Sequence, residues 1–60
     1  MNQKTVYTYA KFHVQNVIEY YENKLKIEVL NESEEDEINR LLVFYKRELA
    51  CVKFELSLMA

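Results

Sequence analysis

The chain has 60 residues, ten acidic and eight basic side chains, a formal net charge of −2, and no glycine or proline. At this length it holds one domain, which buries only about 60% of the surface its unfolded form exposes. Small domains usually make up the deficit with disulfides, a metal or association. Cys51 is the only cysteine, so no disulfide forms within the chain. Cys51 and His13 are the only soft ligands, whereas a structural zinc takes four. No metal or other cofactor is expected, and association is the route that remains.

The missing glycine limits the topology. Tight turns with positive φ recruit Gly, and all-β or α/β chains need several of them. A chain with none is expected to be all-α, built from two long helices. A lone thiol suits a reducing compartment. Met1 to Lys11 is polar and lacks the apolar core of a signal peptide. No stretch reaches the roughly 18 to 20 apolar residues of a membrane span. A cytoplasmic protein without membrane contact is predicted.

The first helix is predicted over about residues 4–28. Val6, Ala10, Val14, Val17, Ile18, Tyr21 and Leu25 recur at spacings of three and four and define one apolar face. Tyr7, Tyr9 and Tyr20 flank it. Lys11, Gln15, Glu19, Glu22 and Lys26 fall on the opposite side, with Glu22 and Lys26 in the favoured i, i+4 order for an ion pair. Phe12 and Leu30 are expected to project from that polar side. Asn2 or Thr5 supplies the N-cap.

A link over about residues 29–33 follows. Asn31 or Ser33 can cap the next helix, and from Asn31 the capping-box position falls on Glu34. Five of the ten acids (Glu32, Glu34, Glu35, Asp36 and Glu37) lie in this one run, where the positive end of a helix dipole stabilises carboxylates. Elsewhere the balance is mildly basic.

The second helix is predicted over about 34–58, with Ile38, Leu41, Leu42, Tyr45, Leu49, Val52, Leu56 and Met59 along one face. Two helices of similar length joined by a short polar link pack antiparallel. A competing pattern runs through the same segment: Ala50, Val52, Phe54, Leu56 and Leu58 alternate at the strand period, and Ile27 and Val29 do so on a smaller scale. The 45-49-52-56-59 series continues the helical stripe, and no turn residue interrupts it, so the helix is preferred.

The second helix is apolar on two sides. Opposite its hairpin face lie Val43, Phe44, Ala50, Cys51, Phe54 and Leu58. Phe44, Cys51 and Leu58 recur every seven residues with Arg47 and Phe54 between them, the a/d spacing of a coiled-coil seam with an arginine at one site. A hairpin buries one face of each helix, so this seam is expected to be exposed, and contiguous apolar patches mark interaction sites. The expected interface is Val43, Phe44, Arg47, Cys51, Phe54 and Leu58. It serves a homo-oligomer, with a dimer favoured and a four-helix bundle or larger helical oligomer as its form, or docks a different protein.

Further candidate partner contacts are Phe12, Tyr7, Tyr9 and Tyr20, since aromatics are enriched in interfaces, and Glu34, Glu35 and Glu37 of the acidic run. That run reads first as a well-capped helix start. It also reads as an electrostatic handle for a basic surface, including mimicry of nucleic acid. A calcium loop is not expected, because the acids share one turn and the required Gly is missing. Tyr21 and Tyr45 belong to core stripes, His13 borders the apolar face as a packing residue, and Cys51 packs as a small hydrophobe.

No catalytic constellation is present: His13 and Cys51 fall on different helices with no third member. A small DNA-binding regulator is a weaker alternative. Arg40, Lys46, Arg47 and Lys53 are dispersed around the second helix, and no third helix supports a helix-turn-helix. The Ser-Gln-Glu-Leu-Asp signature of the short helical-hairpin phosphatases of sporulation response regulators is absent; Arg47-Glu48-Leu49-Ala50 keeps only Glu-Leu. The sequence therefore predicts a small regulatory or inhibitory protein, not an enzyme, that self-associates and acts through protein contacts.

Overall fold

In a computed structural model, which describes residues 2–59, the chain forms two helices, α1 (Gln3–Ile27) and α2 (Glu32–Met59). Asn2 caps α1 from extended backbone at φ −81°, ψ 168°. Its Oδ1 accepts from the Thr5 backbone N–H at 2.8 Å and from the Thr5 hydroxyl at 2.9 Å. One side chain thus satisfies a backbone donor that the helix leaves free.

Glu28 ends α1 by donating its N–H to the Lys24 carbonyl at 3.1 Å, and leaves in extended backbone at φ −102°, ψ 144°. No described residue has positive φ. The chain therefore joins two helices without glycine because its link is extended, not left-handed. Leu30 within that link is half-buried and packs on the core, not on the polar side as periodicity suggested. Helical periodicity ends at Glu28, so a residue two positions later no longer follows the α1 wheel.

Asn31 caps α2. The Glu34 N–H donates to Asn31 Oδ1 at 2.8 Å, and the Asn31 N–H donates back to Glu34 Oε1 at 3.3 Å. This reciprocal pair is a capping box, and it selects Asn31 over Ser33. Glu32, Glu34 and Glu35 then occupy the first turn, where the helix dipole favours them. Residues 50–58 are helical throughout, so the alternation in that segment does not make a strand. Among the described residues there is no second strand for it to pair with, while Val52, Leu56 and Met59 gain burial by continuing the helical face.

The helices pack side by side over a thin core. Ile18, Ile38 and Leu42 are buried, with Val14, Tyr21, Leu25, Leu30, Tyr45 and Leu49 partly buried around them. Val52 is buried further along α2. The hairpin measures 42 × 15 × 14 Å and has a radius of gyration of 13.9 Å, against about 10.4 Å for a compact domain of this length. One line of side chains holds it together.

Where the buried face of α1 lies differs from the apolar stripe. Twelve residues at 100° turn Val6 about 120° from Ile18, and Val6 is exposed. Lys11, Gln15 and Glu22, expected on the far side, are half-buried, because each falls within about 60° of Ile18. Glu22 accordingly pairs across the hairpin with Lys46 at 3.7 Å, while Lys24–Glu28 at 3.7 Å forms the i, i+4 pair instead of Glu22–Lys26.

Candidate interaction surface

The outer face of α2 carries large apolar side chains in the open. Val43 is 56%, Phe44 55%, Phe54 61% and Leu58 66% exposed, and Arg47 and Cys51 are exposed among them. Their placement follows from the helix period. Phe54 lies two residues from buried Val52, a turn of about 200°. Successive heptad positions drift by only about 20°, so Phe44, Cys51 and Leu58 stay in one line. All six residues of the expected seam, Val43, Phe44, Arg47, Cys51, Phe54 and Leu58, are exposed on α2.

Four aromatic rings extend the surface across the hairpin. Tyr20 meets Tyr21 edge-on at 5.2 Å, Tyr21 stacks on Tyr45 at 6.3 Å and 17°, and Tyr45 meets Phe44 edge-on at 5.3 Å. Edge-on and offset arrangements suit the ring quadrupoles. The two inner rings belong to the core, and the outer two, Tyr20 and Phe44, are exposed. The seam thus reaches from α2 onto α1. Lys24 lies over the Tyr20 ring at 5.9 Å, a cation–π placement. The sequence carried a signal for this row: Tyr20-Tyr21 and Phe44-Tyr45 each pair a core ring with an outward neighbour. Joining the pairs required the interhelical register.

The opposite broad side is polar. An open groove there is lined by Gln15, Glu19, Glu22, Asn23 and Lys26 with Ile18 and Leu49, and Glu22 of this lining pairs with Lys46 of α2. Of the remaining candidates, Tyr9 and Phe12 are exposed on α1 away from the ring row, whereas Tyr7 is half-buried. Eleven residues turn Tyr7 to within about 20° of Ile18, so it faces α2. Glu34, Glu35 and Glu37 are all exposed, with Glu34 engaged in the capping box. His13 is exposed. Among the described residues no three His, Cys, Asp or Glu side chains converge as a metal site would require, and no helix is long and apolar enough to cross a membrane.

The surface can therefore desolvate apolar groups against another polypeptide. No known family, curated protein or solved structure matches this chain, and the functional reading rests on its own residues.

Proposed function

We propose that this chain is a small cytoplasmic regulatory or inhibitory protein that acts by binding, not catalysis, and that self-associates through the outer face of α2. The observation that carries the reading is the line of Phe44, Phe54 and Leu58, each more than half exposed on a hairpin with only a thin core. Fully burying each such side chain contributes roughly 1.5 to 3 kcal/mol, comparable with the whole stability of a small domain. Association then completes the core, and Tyr9 and Phe12, exposed on α1 away from the ring row, remain as contacts for a different protein. Phe54→Asp tests the reading. It should convert the oligomer to monomer or unfold the chain, and an unchanged solution mass and melting curve would refute it.

A second reading draws on the acidic end. Glu32, Glu34, Glu35, Asp36 and Glu37 are all exposed beside the link, a density of charge suited to a basic surface such as one that binds nucleic acid. This mimic reading uses a different part of the molecule and is compatible with self-association through α2.

A further inference from the structure

We infer that the outer face of α2 is an antiparallel, two-fold self-docking surface centred on Cys51, in which Arg47 of one copy is neutralised by Glu55 of the other. This inference rests on the self-association proposed above and adds its partner geometry.

The first observation is symmetry in the chain itself. Phe44 and Leu58 each lie seven residues from Cys51, and Arg47 and Glu55 each lie four residues from it. A two-fold axis perpendicular to α2 at Cys51 therefore sets Phe44 level with Leu58 of the second copy, about 10.5 Å from the centre on either side. The same operation sets Arg47 level with Glu55 of the second copy, about 6 Å from the centre. The small Cys51 at the axis permits close approach of the two helices.

Charge selects this orientation. Parallel pairing in register would set Arg47 against Arg47 and Glu55 against Glu55, two like-charge contacts in a partly dehydrated seam. The antiparallel arrangement replaces both with opposite-charge contacts. Such pairs fix register and orientation more than they add affinity. Arg47 is exposed and Glu55 half-buried at the edge of the same face, and neither has a salt-bridge partner among the described residues.

Area agrees with the occupant. The chain of 7.3 kDa presents 4847 Å² to solvent, whereas a folded monomer of that mass presents about 4200 Å². The excess of roughly 700 Å² is close to the 800 Å² or so that each partner gives to a standard interface.

The test compares dimer dissociation constants by sedimentation for the wild type, Arg47→Glu, Glu55→Arg and the double variant, with circular dichroism to confirm helicity. Each single charge reversal should weaken the dimer about tenfold, and the double variant should return to within about threefold of wild type. Spin labels at Asn39→Cys in a Cys51→Ser background should lie about 36 Å apart along the helix axis, against about 10 Å for a parallel pair. A dimer indifferent to charge reversal, a double variant as weak as the singles, or a short label distance would overturn the inference while leaving self-association standing. A wild-type chain that stays monomeric would overturn both.

Discussion

Phe44 and Tyr45 meet edge-on with ring centroids 5.3 Å apart, yet they belong to different environments. Tyr45 is half-buried and stacks on Tyr21 across the hairpin, while Phe44 is 55% exposed at the edge of the outer seam. Neighbours in sequence thus divide the two tasks of α2, holding the hairpin and offering a surface.

The two residues should separate experimentally. Tyr45→Ala removes core packing and one ring stack and should lower unfolding free energy by about 2 kcal/mol at every protein concentration. Phe44→Ala should instead flatten the dependence of melting temperature on protein concentration, since its contribution arises on association. Thermal unfolding monitored by circular dichroism at several concentrations checks both. Equal, concentration-independent losses would contradict the division.

Ile38 and Leu42 are the tightest points of the core, at 5% and 6% exposure. Truncating a buried aliphatic residue to Ala costs about 2 to 5 kcal/mol, and a domain of this size has little more to lose. Leu42→Ala should therefore leave the chain largely unfolded near neutral pH, with loss of far-ultraviolet helical signal. A fully helical Leu42→Ala protein would show that the interhelical core is not what holds the hairpin.

The capping box at the start of α2 makes a smaller prediction. Asn31→Ala removes the acceptor for the Glu34 N–H and should cost about 1 kcal/mol, whereas Asn31→Gly should cost only a few tenths. Chemical denaturation of the two variants side by side distinguishes a side-chain cap from a mere link residue.

The acidic end is tested by Glu34→Gln, Glu35→Gln and Glu37→Gln together. Gln keeps the capping geometry at position 34, so helicity should hold. Affinity for a basic polypeptide, with polylysine as probe, should fall and become less sensitive to salt. Unchanged affinity and salt slope would reduce the acids to a helix start.

Much of this architecture was readable from spacing alone. The 45-49-52-56-59 stripe outweighed the alternation in residues 50–58, and Asn31 with Glu34 marked where α2 begins. Amphipathic period also placed Phe44, Cys51, Phe54 and Leu58 opposite the core. The failures share a cause: apolar spacing defines a stripe on one helix, but its partner decides which part of that stripe is buried. Centred on Ile18, α1 turns Val6 outward and draws Lys11, Gln15 and Glu22 to the edge of α2. Leu30 escaped because extended backbone in the link breaks the helical wheel. The Tyr20-to-Phe44 row depends on how α1 and α2 slide past each other, which neither segment encodes alone.

Solution mass across a concentration series, with circular dichroism on the same samples, tests the central claim most directly. Self-association through α2 predicts a helical species of twice the 7.3 kDa chain mass, dissociating on dilution as helicity weakens. A stable, fully helical monomer at every concentration would contradict it.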